Sequence, residues 1–483
     1  MIAADRDPAT NNPTGGAVET TPIAAGSRSA PYTQFLASKK RRVEPDGRII
    51  DDTDIHPMLH DWQREIVQWA VHRGRCAIFA DCGLGKTFMQ LEWARLSGET
   101  SLIVAPLSVA RQTMREAEKL DITAHYVRAE ADVTGPGVWI TNYEMLDKFN
   151  AADFDAVVLD ESSILKNVDG RTRQRLTSQL ADVPARLACT ATPAPNDVAE
   201  LCNHAEFLGV MPRNEMLAAF FVHDEVGWRV KGHASGPMYE WMAGWAVALR
   251  KPSDIGYPDE GYDLPPLTIR PEVVEVEVEV EGQLFAVDLG GIGGRAKIRK
   301  STLDARVKRT AGLVNATKDE QWIVWCGLNS EADAITAAVK DAVNVEGSLD
   351  PERKAEHLEA FQDGTIRVLV TKPSIAGFGM NFQNAHRMAF VGLSDSYEAY
   401  YQAIRRCWRF GQRSPVEVVV VVSSIEQQIV DNVRRKEVDA AVTTAELVQY
   451  SPLRKDTNDI GPAALHRGRR QRRMLATTAR RFV

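Results

Sequence analysis

The chain has 483 residues, 44% hydrophobic and 25% charged, with a formal net charge of −7. That length exceeds one domain core of usual size, so about two or three compact units are expected, and the composition excludes fibrous and intrinsically disordered classes. The acidic balance excludes a uniformly basic surface but leaves room for a local basic groove.

Residues 1–29 are rich in Ala, Thr, Pro and Gly. They have too little apolar surface to offset chain entropy and read as a disordered leader, followed by the basic run Lys39–Arg42, taken as solvated surface. From about Leu59 onward, short aliphatic runs alternate with longer amphipathic stretches, the pattern of βα units building a parallel sheet. The first set of expected strands is 76–80, 102–105, 138–141, 156–159 and 186–189. The second is 323–326, 367–371, 388–391 and 416–422. Two sheets, and hence an α/β fold with two domains, account for this most simply. Between them, His223–Pro266 reads as a helical insertion and a hinge, and the Val/Glu alternation of 273–280 reads as a half-exposed strand entering the second domain. His466–Val483 carries seven arginines and no acid, the composition of a flexible basic tail.

The six cysteines, Cys76, Cys82, Cys189, Cys202, Cys326 and Cys407, form no C-x-x-C pair, so neither a disulfide framework nor a zinc site is implied. The start of the chain lacks the layout of a secretory signal, and the longest apolar run, Val418–Val422, is too short for a bilayer. A cytoplasmic setting without membrane contact is the expectation.

Three segments carry chemistry. The run Ala80-Asp81-Cys82-Gly83-Leu84-Gly85-Lys86-Thr87 lies between an expected strand and an expected helix, the setting of a phosphate-binding loop. Gly83 and Gly85 let backbone N–H groups turn toward phosphate oxygens; Lys86 would contact the β- and γ-phosphates of ATP and Thr87 would bind Mg2+. The run 156–163 puts adjacent carboxylates at the C-terminal end of a buried strand, with Asp160 assigned to the metal and Glu161 to the attacking water. Gln402–Gln412 places Arg406 and Arg409 three apart, expected on one helix face, from where they would reach the γ-phosphate across a cleft. Each alone has an ordinary explanation, as a glycine turn, a solvated turn and a surface helix; together they specify ATP hydrolysis.

These segments, with others along the chain, resemble the superfamily 2 helicase-like ATPases, and among them the Swi/Snf-like translocases, including versions carried by bacteriophages. Leu59–Gln63 is similar to the adenine-contacting segment, with Gln63 reading the base. Ile103–Pro106 and Ile140–Tyr143 resemble strand-end motifs that hold the nucleic-acid backbone, so Pro106, Thr141 and Asn142 are implied contacts, as is Ser348 in the second half. Thr190–Pro193 resembles the segment coupling hydrolysis to the strand, and 376–382 resembles A-G-G-L-G-I-N-L, implying nucleotide contact at Gly379. The resemblance implies two RecA-like P-loop domains with ATP and Mg2+ in the cleft between them. The expected division is a leader over 1–54, a first domain over 55–262, a second over 263–447 and a tail over 448–483.

It also implies a nucleic-acid-stimulated ATP hydrolase that moves on single- or double-stranded DNA in preference to RNA, a helicase or translocase, with replication, recombination or repair proteins as partners. The alternatives are an ATP-switched nucleic-acid clamp and the motor subunit of a restriction or repair complex. Ser162-Ser163 replaces the usual Ala-His, which removes a histidine link to the other domain. Trp408 stands where many remodelling enzymes have His, and the histone-reading modules of chromatin enzymes are missing.

Overall fold

The computed structural model describes residues 43–166, 170–225, 227–276, 301–376 and 380–455, all in one of the two compact units of the chain. Its first lobe is a parallel sheet of β1 (Arg75–Ala80), β2 (Thr100–Ala105), β3 (Ala124–Tyr126), β4 (Gly137–Asn142), β5 (Ala156–Asp160), β6 (Ala185–Cys189) and, beyond the hairpin β7 (Phe221–Asp224) and β8 (Gly227–Val230), β9 (Ala246–Leu249). The spatial order is β3-β4-β2-β5-β6-β1-β9. The second lobe contains β10 (Leu267–Val274), β11 (Trp322–Cys326), β12 (Ala342–Val345), β13 (Val368–Thr371), β14 (Arg387–Val391) and β15 (Val416–Ser423), in the order β10-β15-β14-β11-β13-β12. Every pairing within these two sheets is parallel.

Helices cover both faces, so the central strands are apolar on both sides and feed two cores. In β5, Val157 and Leu159 enter one cluster while Ala156 and Val158 enter the other, the period of two that alternating Cβ directions impose. In the second lobe the even-numbered valines of β15, Val416 to Val422, pack into one core, and Val324 and Val370 line the opposite one.

All nine expected strands form, with ends shifted by up to two residues. The expected helical insertion is only partly helical: Ser235–Met242 is a helix, but the segment also supplies β8, part of β7 and the edge strand β9. The entry strand of lobe 2 begins at Leu267, not Val273, and ends at Val274; residues 277–280 lie outside the described residues. Pro271 sits inside it, which the position at the sheet edge allows because one side of an edge strand needs no donor.

The expected boundary at 447/448 falls inside a helix. The helix Gln427–Gln449 starts in the lobe 2 core with Ile429, Val430 and Val433 and ends in the lobe 1 core with Leu447 and Val448. Tyr450 then stacks on Tyr239, and Leu453 packs on the second core of lobe 1. The aromatic and aliphatic groups of 447–453 thus belong to lobe 1 rather than to a solvated tail. The leader and the arginine-rich segment fall outside the described residues, apart from 43–54 and the first residues after 447. Among the described residues no helix is long and apolar enough to cross a membrane.

Candidate active site

Parallel pairing brings the C-terminal ends of the strands to one edge. Register aligns Ile78 of β1 with Cys189 of β6, and Cys189 with Asp160 of β5. The loop after β1, the carboxylates after β5 and Thr190 after β6 therefore open at the same rim, where open α/β sheets bind ligands.

The phosphate loop has the conformation its glycines predict. Gly83 has φ 87° and Gly85 φ 69°, and Gly85 is the N-cap of the helix Lys86–Ser97, on whose first turn Lys86 and Thr87 sit. Lys86 Nζ donates to the carbonyl oxygens of Ala80 (2.9 Å) and Asp81 (3.3 Å), folding back over its own loop. Gln63 is buried beneath the loop. Its Nε2 donates to Leu84 O at 3.1 Å, while its Oε1 accepts from His60 N at 2.9 Å. It therefore links the N-terminus of the helix Asp61–Arg73 to the loop. Trp62 packs edge-on against Tyr262, which lies against Phe410 of lobe 2 with ring centroids 5.1 Å apart.

Asp160 is buried, and its Oδ1 accepts from Gln90 Nε2 (2.7 Å) and Glu161 N (3.1 Å). Burial raises its pKa, while Gln90, Lys86 and Arg406 oppose the rise. Glu161 has φ 56°, a left-handed backbone uncommon outside glycine. Burial pushes its carboxyl up to about 7, with Lys86 and Arg406 opposing and Asp160 and Glu398 reinforcing the shift. Thr190 Oγ1 is 3.4 Å from Glu161 Oε2, and Tyr143 donates to Asp160 O at 2.5 Å.

The arginines meet this rim from lobe 2, though not as a helical pair. The helix Tyr397–Ile404 stops before them, so Arg406 and Arg409 lie on the turn that follows. Arg406 is held by Gln402 O (3.0 Å), Gln402 Oε1 (2.7 Å) and Met380 O (3.2 Å). Arg409 bonds Asn381 Oδ1, and burial next to Arg406 lowers its pKa to about 10. Buried Arg409 Nε and Gln402 Nε2 have no partner among the described residues, an expensive state that an anionic ligand would relieve.

The direct bridge to the phosphate loop was missed by the sequence reading. Arg405 pairs with Asp81 Oδ2 at 2.8 Å and donates to Cys82 O at 3.0 Å, and Tyr401 bonds the other Asp81 oxygen. A Cβ on Gly83 would lie 3.0 Å from Phe410 N, so lobe 2 touches the loop itself. Ser163 and Lys166, just past the carboxylates, both bond Glu398 of lobe 2. Arg405 lies outside the i, i+3 spacing of Arg406 and Arg409, and no local pattern marks Glu398 or Asp81 as partners.

The expected nucleic-acid contacts divide. Thr141 is fully buried, its hydroxyl donating to Val127 O at 2.9 Å. Asn142 is buried too, accepting from Met145 N (3.0 Å) and donating to Tyr126 OH (3.2 Å). Both side chains serve strand and turn structure in this arrangement. Pro106 caps the helix Leu107–Lys119 at the rim, and Ser348 is exposed, bonded to Glu346. Gly379 lies outside the described residues.

Comparison with known proteins places these parts in a family. A profile described as SNF2-related domain matches residues 57–221, and one described as Helicase conserved C-terminal domain matches 305–411. The chain is 23% identical over 450 residues to the DNA annealing helicase and endonuclease ZRANB3 of Mus musculus, covering 83% of this chain and 42% of that one. It is 31% identical over 171 residues to the SWI/SNF-related matrix-associated actin-dependent regulator of chromatin subfamily A-like protein 1 of Xenopus tropicalis, covering 31% of this chain and 17% of that one. It therefore spans less than half the length of either relative. Among solved structures, the Sulfolobus solfataricus SWI2/SNF2 ATPase core in complex with dsDNA aligns with TM-score 0.41 and 17% identity, over 83% of this chain and 98% of that one. With the two matched segments in family order, one on each sheet, the chain belongs to the Swi/Snf-like group of superfamily 2 helicase-like ATPases.

Proposed function

We propose that the chain is an ATP-driven DNA translocase that hydrolyses ATP between its lobes and uses their opening and closing to move along DNA. The observation that carries this is the meeting of the glycine loop, the Asp160–Glu161 pair and the arginines of lobe 2 at one rim, linked across the cleft by Asp81 and Arg405. ATP bound there would exchange the internal contacts of Lys86 for phosphate oxygens and give Arg409 Nε and Gln402 Nε2 the acceptors they lack. Thr87 and Asp160 offer hard oxygen donors that suit Mg2+, which would neutralise phosphate charge when bound with the nucleotide. Glu161, with a pKa of about 7, is poised to orient and accept a proton from the attacking water. Arg406 and Arg409 stabilise charge on the transferring group, an electrostatic contribution that depends on lobe closure.

DNA as the track is supported by the relative whose name includes DNA annealing helicase. A motor that moves over any sequence needs backbone contacts that do not read bases, and the helix N-terminus that follows Pro106 and the exposed hydroxyl of Ser348 would supply them. The test is steady-state ATP turnover with single-stranded DNA, duplex DNA, branched DNA and RNA side by side. Multiple turnovers stimulated by DNA support the motor. A single slow turnover would instead identify an ATP-switched clamp, and stimulation by RNA alone would reject the DNA assignment.

A further inference from the structure

Glu398 lies on the helix Tyr397–Ile404 of lobe 2 and is 6% exposed. Its carboxylate crosses the cleft: one oxygen accepts from Ser163 Oγ, and the other pairs with Lys166 Nζ. Both partners stand on the short helix Ser162–Lys166, which begins directly after Asp160–Glu161. A carboxylate this buried costs several kcal/mol unless it is paired, so the contact is favourable only when the lobes are together. The neighbouring hydroxyl of Ser162 is held inside lobe 1 by His204 Nε2 at 3.1 Å. One serine thus anchors the turn to its own lobe, and the next offers it to the other.

The turn is tied back to Glu161, which has a left-handed backbone and whose carbonyl oxygen lies 3.5 Å from the Ser163 hydroxyl that bonds Glu398. A pull on Ser163 and Lys166 is therefore a pull on Glu161.

Building on the hydrolytic reading above, we propose that Glu398 is a positioning residue: through Ser163 and Lys166 it lets lobe 2 align Glu161 for attack when the lobes close. Its carboxylate bonds the turn at Ser163 and Lys166 rather than Glu161 itself. Asp81–Arg405 brings the lobes together at the phosphate loop; Glu398 reports their closure to the carboxylates.

The experiment uses the full chain, with Glu398→Gln, Lys166→Met and the double variant. ATP titrations in the presence of duplex DNA give kcat and KM. Interlobe distance is read by energy transfer between dyes on Glu118→Cys and Glu356→Cys, exposed sites on lobes 1 and 2, against six native cysteines that are all buried. Each single variant should lower kcat about tenfold while KM for ATP stays within about twofold, and the double variant should be no worse than either, as expected of residues acting as a unit. Nucleotide-free energy transfer should fall or broaden in all three. Lys166 is partly exposed, so its variant tests the clasp even if Glu398→Gln folds poorly.

Wild-type kcat in both single variants, or losses that multiply in the double variant with unchanged energy transfer, would overturn the proposal. If the wild type turns over ATP, Lys86→Ala does not, and Glu398→Gln matches wild type, the clasp fails while the hydrolytic reading stands. No turnover in the wild type would remove both.

Discussion

Asp81 Oδ2 and an Nη of Arg405 lie 2.8 Å apart, joining the phosphate loop of one lobe to the end of a helix in the other. Asp81 is the more exposed of the two, while the Arg405 side chain is 3% exposed. Burial opposes the guanidinium charge most strongly, but Asp81, Tyr401 and Cys82 together outweigh it and hold Arg405 protonated. The pair needs both lobes in place, so it records the closed arrangement of the cleft. Arg405→Met should destabilise that arrangement by about 3 kcal/mol, the usual result of removing one partner from a buried pair. Arg405→Lys should recover only part of the loss, because an ammonium cannot serve Asp81 and Cys82 O with a planar fork. Thermal unfolding followed by interlobe energy transfer measures it, and an unchanged midpoint in Arg405→Met would count against the pair as a lobe contact.

Substitution of Lys86, Arg406 or Arg409 by Ala, or of Glu161 by Gln, should lower ATP turnover by about 100-fold or more, the scale of losing one preorganised electrostatic group. Glu161→Gln should still bind ATP, since Asp160 and Thr87 remain, and a nucleotide titration distinguishes this from loss of the site. Wild-type turnover in all four variants would end the assignment of the cleft.

Gly85 tests the loop geometry. Its φ is 69°, and an added Cβ would lie 2.4 Å from Gln63 Nε2. Gly85→Ala should weaken ATP binding about tenfold or more, with contributions from the clash and from a left-handed backbone that costs a side-chain-bearing residue roughly 1–2 kcal/mol. Gln63→Ala relieves the clash but also loses the Gln63 bond to Leu84 O, so binding is compared with Gln63→Ala alone, toward which the double variant should recover in part. Complete recovery would show that the backbone at Gly85 carries no constraint.

His204 gives a pH dependence of stability. Burial lowers its pKa to about 4, from an ordinary value of 6.5. Between those values the unfolded chain binds the proton more readily than the folded one. The stability due to neutral His204 is therefore complete above about pH 6.5 and is lost as pH falls to about 4, by roughly 3 kcal/mol. Buried Glu200, with its pKa raised to about 7, works in the opposite sense over pH 7 to 4.5, so total stability does not isolate the effect. The difference between wild type and His204→Gln does: it should shrink on acidification. A difference that is constant from pH 7 to 4.5 would refute the role of the imidazole.

What the sequence determined by itself was local. The strands β1, β5 and β15 were legible because parallel strands covered on both faces are nearly continuous aliphatic runs, and the phosphate loop was legible because glycines at 83 and 85 supply positive φ between a strand and a helix. The short strands β3, β9 and β12 were not: Ala124–Tyr126 and Ala342–Val345 are only three and four residues long, and Ala246–Leu249 follows a helix that masked it.

Only the tertiary structure decided which long-range partners meet. Asp81 and Arg405 are 324 positions apart, and Ser163 and Glu398 are 235 apart; periodicity and propensity carry no information over such separations. It likewise set the Thr141 and Asn142 side chains in internal hydrogen bonds, with Val127 O and Met145 N. It moved 447–453 into lobe 1, because a single helix was long enough to run from one core to the other. Local chemistry follows from which residues are adjacent in the chain; the coupling between lobes follows from how two sheets are packed, which neighbours in sequence do not specify.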